Sequence, residues 1–166
     1  MAVPVKPVKP TFGTNAPVPS SKLSQLADLA NFAANPPAGI FLRTATQSLT
    51  TGLASSISWD TTIFDPGVML SGGTNVLPGS GLYQISGWVA IAPNATGIRV
   101  LELTQNGSIV LSTATSAPSA GDGRLTLSSL FLCVDGDAFA LQAFQSSGIS
   151  LNVTAARLTL ARSSGS

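Results

Sequence analysis

Seven carboxylates, Asp28, Asp60, Asp65, Glu102, Asp122, Asp135 and Asp137, carry all the acidic chemistry open to this chain. A glycosidase needs two of them roughly 5 to 9 Å apart across a sugar, and nothing in their spacing selects a pair. Asp135-Gly136-Asp137, and Asp60 with Asp65, offer loop oxygens of the kind that hold calcium. Asp beside Gly is also ordinary turn chemistry, and that is the preferred reading. Histidine is absent, which removes the commonest general base, the usual Ser and Cys triads and imidazole-ligated zinc. Cys133, the single cysteine, lies among Leu130, Phe131, Leu132 and Val134 and reads as a buried structural thiol. The glycine-rich runs Ser71-Gly72-Gly73-Thr74-Asn75 and Pro78-Gly79-Ser80-Gly81 lack the lysine and following helix of a phosphate loop. Trp59, Tyr83 and Trp88 could stack on a sugar, although aromatic residues in strand-like segments more often serve a core or a subunit interface. The expectation is a protein that is not an enzyme and holds no cofactor or metal.

Charge narrows the partners. Eight basic against seven acidic residues give a net charge of +1, and Lys22, Arg43, Arg99, Arg124, Arg157 and Arg162 are scattered, so no nucleic-acid groove is implied. Apolar residues make up 44% of the chain and charged residues 9%, against about a quarter charged in ordinary soluble domains. Such a surface calls for cover by other subunits; a monomer clothed in Ser, Thr, Asn and Gln is the alternative. The first residues, Met1-Ala-Val-Pro-Val-Lys-Pro7, show neither a signal-peptide pattern nor a bilayer-spanning run, so synthesis in a cytoplasm and no membrane partner are expected. The sequons at Asn94, Asn106 and Asn152 read as chance matches in a Ser/Thr-rich chain.

The elements that must position these residues fall into three segments. Residues 1–20 carry prolines at 4, 7, 10, 17 and 19, each fixing φ and removing a donor, so the segment reads as an extended arm. Pro4, Lys6, Pro7, Lys9, Pro10 and Phe12 are its candidate anchoring residues. Residues 21–38 hold a short amphipathic helix, capped by Ser20 or Ser21 and ended by Pro36-Pro37, with Leu23, Leu26, Leu29 and Phe32 along one stripe. A helix of about three turns is marginal alone, so the stripe must dock on the chain's own body or on copies of itself.

Residues 39–166 switch to a period of two, with turns of Gly, Pro, Asn and Asp. Strands are predicted near 39–48, 55–60, 81–92, 97–105, 108–115, 124–134, 137–146 and 150–162, eight in all, as in a double-sheet jelly roll. Asn106-Gly107 is the strongest hairpin signal. In 81–92, Tyr83, Ile85, Val89 and Ile91 alternate with Leu82, Trp88 and Ala90. In 124–134, Leu125, Leu127, Phe131 and Cys133 alternate with Leu130, Leu132 and Val134. A sandwich in water needs one dry face per strand, and a second apolar face calls for a further layer, most simply another subunit. Phe64, Tyr83, Trp88, Phe139 and Leu141 are candidates for a trimer interface or the core.

From Trp59 onward the order of motifs resembles the C1q/TNF-like jelly roll. Phe64-Asp65 precedes a loop, Gly79-Ser-Gly81-Leu-Tyr83 is similar to that family's entry to a central strand, and Val134-Asp-Gly136-Asp137-x-Phe139-x-Leu141 is similar to its Gly-Asp-x-Val-x-Leu segment. The resemblance implies an all-β sandwich forming a compact homotrimer, with apolar residues around the three-fold axis.

A wider resemblance is to virion structural proteins of tailed bacteriophages of the actinobacteriophage type. It rests on Ser21-Lys-Leu-Ser-Gln-Leu-Ala-Asp28-Leu-Ala-Asn31-Phe32 before Pro36-Pro37, then Phe64-Asp65, Gly81-Leu-Tyr83-x-x-Ser-Gly87, and Asn94-Ala-Thr-Gly97-Ile-Arg99 leading to Asn106-Gly107. The chain departs from that pattern in Pro66-Gly67 and in a longer proline arm. This resemblance implies a structural protein of the virion, made in the host bacterial cytoplasm, without fixing its place there; a trimeric capsid decoration protein is the leading expectation. Its arm would bind the major capsid protein or tail proteins; a minor tail protein, or an adhesin for host-surface glycan, is the alternative.

Overall fold

The computed structural model describes residues 9–11, 18–34, 37–116 and 121–163. Of the arm, Pro4, Lys6, Pro7 and Phe12 lie outside the described residues, whereas Lys9 is exposed and Pro10 is buried. The helix α1 runs Ser20–Ala34. Its first acceptor is the carbonyl of Pro19, which takes the N–H groups of Lys22 at 2.9 Å and Leu23 at 3.3 Å. The serines expected as caps therefore sit inside the first turn, where Ser24 donates back to the Ser20 carbonyl at 3.2 Å. No described helix is long and apolar enough to cross a membrane.

Twelve strands follow among the described residues: β1 Ala38–Arg43, β2 Gln47–Leu49, β3 Ser55–Ser56, β4 Thr61–Phe64, β5 Leu70–Ser71, β6 Asn75–Val76, β7 Gly81–Ile91, β8 Ile98–Gln105, β9 Ser108–Ser116, β10 Gly123–Cys133, β11 Phe139–Gln145 and β12 Leu151–Arg162. They form two antiparallel sheets. One has the order β10-β7-β12-β1-β4 with β2 also on β12; the other has the order β5-β6-β11-β8-β9 with β3 also on β11. This is the jelly-roll sandwich expected from the sequence, with more and shorter strands than the eight predicted.

The extra strands have local causes. The stretch 39–48 divides because the Asp60 carboxylate captures the N–H groups of Thr44 at 3.0 Å and Ala45 at 2.8 Å, and a captured donor cannot serve a sheet ladder. Of 55–60 only Ser55–Ser56 forms a regular strand, against β11, and the next strand comes later, as Thr61–Phe64. The two strands within 70–76 are a small hairpin closed by Gly72 and Gly73, both at positive φ.

The core lies between the sheets and follows the alternation. Phe41, Tyr83, Ile85, Val89, Ile91, Leu101, Leu103, Phe139, Leu141, Val153, Leu158 and Leu160 are all buried there, each fully buried apolar side chain contributing about 1.5–3 kcal/mol. Phe139 meets the half-buried Phe131 edge to face at 5.5 Å. The sandwich closes tightly at Gly97, whose φ is +79° and whose Cβ, if it had one, would stand 2.2 Å from the Ser146 carbonyl oxygen.

Candidate assembly face

The solvent side of the β10-β7-β12-β1-β4 sheet gathers the residues that the inward alternation leaves out. Register fixes its rows. Thr126, Trp88, Arg157 and Leu42 lie side by side across four strands. The next row is Ser128, Ser86, Thr159, Ile40 and Phe64, and beyond it come Leu130 beside Gln84 and Leu132 beside Leu82. Leu130, Leu132 and Val134 are 56%, 76% and 60% exposed, and Phe64 at the opposite edge is 47% exposed. The face is thus apolar at its margins and rich in hydroxyls at its centre.

At that centre is an open depression of about 510 Å³ between β7, β10 and β12. Trp88 forms part of its lining, and the Arg124 guanidinium lies over the Trp88 ring, 3.9 Å from its centroid. Arg157 also lines it and, among the described residues, is held by one hydrogen bond, donated from Nε to Thr159 Oγ1 at 3.1 Å. Gln84 donates to Ser128 Oγ at 2.6 Å.

Of the five interface-or-core candidates, Phe64 and Trp88 are on this face. Tyr83, Phe139 and Leu141 are fully buried in the sandwich, where the Tyr83 hydroxyl donates to the Pro78 carbonyl. Trp59 is buried as well, so the aromatic trio considered for sugar stacking is not assembled at the surface: alternation sends Tyr83 inward and Trp88 outward. Ile40, Leu42, Arg124 and Arg157 are the members that sequence reasoning missed; their signal was the same two-residue alternation, carried by the flanking strands. On the helix, Leu23 and Leu26 remain 56% and 40% exposed and Leu29 is half-buried, while the Phe32 side chain lies outside the described residues. The stripe of α1 is therefore not covered by its own sandwich at Leu23 and Leu26.

Two of the carboxylates, Asp60 and Asp137, serve the structure. Asp60 accepts from Thr44, Ala45 and Thr61 and faces Arg43 at 3.5 Å. Burial raises its pKa, but the hydrogen bonds from Ala45, Thr44 and Thr61 outweigh that and hold it at about 2. Asp137, itself buried, accepts from Val134 N–H at 2.9 Å, the Asn106 amide at 2.7 Å and the Gln105 amide at 2.9 Å. These bonds, the Val134 one first, hold its carboxyl below the usual range against the opposing effect of burial. Asp135 is exposed in the same turn. Among the described residues no three His, Cys, Asp or Glu side chains converge on one point.

No protein-family model matches the sequence, and no curated protein matches it. Solved structures do resemble the fold. The globular domain of zebrafish complement 1qA protein is 12% identical with a TM-score of 0.58, over 75% of this chain and 94% of that one. The Eiger TNF of S. frugiperda is 13% identical with a TM-score of 0.60, over 76% and 93%. The PRD1 vertex protein P5 is 18% identical with a TM-score of 0.57, over 75% and 72%. At these identities the likeness concerns the fold, and the two six-stranded sheets agree with it: the body of this chain is a C1q/TNF-like jelly roll.

Proposed function

We propose that this chain is a structural protein of a bacteriophage virion: a homotrimeric jelly-roll body, made in the host bacterial cytoplasm, that decorates the capsid and is anchored through its N-terminal arm and helix. It works by burial and does no catalysis. The observation that carries this reading is the solvent side of the β10-β7-β12-β1-β4 sheet, where Leu130, Leu132, Phe64, Ile40 and Leu42 leave apolar surface beyond what the sandwich itself covers. Water-facing sheets alternate cleanly, and a second apolar face is stabilised by a further layer. The exposed Leu23 and Leu26 give the helix a surface of the same kind. The vertex protein P5 of PRD1 is a virion component with this fold, and the motif order of residues 21–107 resembles phage structural proteins.

Three arms on one body bind a particle with avidity, so each contact can be weak. Electron microscopy of intact particles tests the reading. Density for three copies around one axis on the capsid is the expected result, and density at the tail tip would make the protein a tail component. Removing residues 1–20 should leave the trimer intact in sedimentation and abolish particle binding. A truncated protein that still decorates particles, or a full chain that sediments as a monomer at micromolar concentration, refutes the proposal.

A further inference from the structure

The depression at the centre of the face has a chemistry that self-association alone does not explain. Its lining includes Ser86, Trp88, Thr126, Ser128, Arg157 and Thr159, all of which present hydrogen-bonding groups. Arg157 spends Nε on Thr159, and its two terminal nitrogens have no hydrogen-bond partner among the described residues. Neither Arg157 nor Arg124 has a described carboxylate within ion-pair distance. The Arg157 guanidinium in a lining of hydroxyls, with the Arg124 guanidinium close by over the Trp88 ring, makes a local positive field with oriented donors. Arg124 already occupies a face of Trp88, so a neutral sugar ring loses a stacking surface there. An oxyanion, by contrast, matches the planar fork of Arg157 and takes the remaining donors from the hydroxyls.

We propose that this depression, with Arg157 as its principal donor, is a binding site for a phosphate-type oxyanion. The proposal also bears on assembly, and there it rests on the reading of the face as the trimer interface. Packing the face against copies of itself removes guanidiniums from water, which is costly without a counter-charge. A bound oxyanion offsets that cost.

Calorimetric titration and 31P NMR of the full chain with inorganic phosphate test the site, with ionic strength held constant by chloride. Melting temperature is a poor reading, because phosphate stabilises folded proteins generally by exclusion. Saturable binding is expected, weakened about tenfold or more in Arg157→Gln and less in Ser128→Ala. Absence of saturable binding, or binding unchanged in a folded Arg157→Gln protein, overturns the proposal. A soluble glycerol-phosphate polymer then separates the sources of the anion: displacement of phosphate by the polymer identifies a phosphodiester ligand, and failure to displace it identifies the free ion. Sedimentation is read separately. A trimer that forms while phosphate fails to bind removes the anion site and leaves the proposed assembly standing.

Discussion

Asp137 and Asn106 clasp two turns that are 31 residues apart in the chain: the Asn106 amide donates to the Asp137 carboxylate at 2.7 Å, and the Asn106 side-chain oxygen accepts from Ala138 N–H at 2.9 Å. Asn106 stands at a φ of 53°, the left-handed conformation that asparagine tolerates better than most residues. The clasp joins the β8–β9 hairpin to the β10–β11 turn, so one end of the β5-β6-β11-β8-β9 sheet is tied down through a single carboxylate.

Replacing Asp137 with Ala should therefore destabilise the protein by about 1–3 kcal/mol, because three charge-assisted bonds to a buried carboxylate are lost. Urea unfolding at neutral pH gives the number. A loss under about 0.5 kcal/mol, the range of ordinary surface substitutions, would show that the clasp is dispensable.

Acid should reveal Asp60 and Asp137 together. A carboxyl whose folded pKa is depressed contributes stability that is fully present above its unfolded value and is lost as pH falls through its folded value. For Asp60 that window runs from the ordinary 3.8 down to about 2, and Asp137 shifts in the same direction. Unfolding free energy should fall steadily from pH 4 to pH 2, with a shallower slope in Asp60→Asn; equal slopes in the two proteins would contradict the role given to Asp60.

Leu132→Asp should dissolve self-association without unfolding the body. Leu132 is 76% exposed and beside Leu82 on the outward face, so a charge there costs little in the isolated subunit but is buried at an interface. Sedimentation velocity reads the outcome, with circular dichroism as the folding check.

Two glycines at nearly the same φ should respond differently to alanine. Gly97→Ala places Cβ against the Ser146 backbone, whereas Gly107→Ala at φ +80° meets nothing within 4 Å. The second change should cost about 1–2 kcal/mol for the left-handed conformation alone, and the first distinctly more. Thermal melts of both proteins make the comparison.

Cys133 is buried, and burial, with some help from Asp137, pushes its thiol up to about 12. Reaction with a thiol reagent at pH 8 should proceed only as fast as the protein opens, and prompt labelling of the native protein would place the sulfur at the surface instead.

The long strands were legible because alternation is local: 81–92 and 124–134 could be divided into two faces from the sequence, and Leu125, Leu127 and Cys133 are indeed inside while Leu130 and Leu132 are outside. The break at Thr44 was not legible, because its cause, Asp60, is 16 residues away. Trp59 and Trp88 look alike in sequence, and only sheet register decides that one is buried and the other half-exposed beneath Arg124. The depression escaped notice for the same reason: Arg157 and Trp88 are neighbours only because β12 pairs with β7. Of the helix, the leucine stripe was readable, but its partner was not, since a stripe records that something is buried and carries no record of what.

The pairing of Ala38 with Ala161 means that the chain enters and leaves the sandwich side by side. At the other end, the Gly52 N–H donates to the Gln145 carbonyl at 2.8 Å and the Gly148 N–H to Thr51 Oγ1 at 3.0 Å, lacing two loops together. Both glycines have open space where a side chain would project. A peptide grafted at Gly52 or Gly148 would be presented at the pole opposite the Ala38–Ala161 pair, which makes these loops the natural sites for using the protein as a display scaffold.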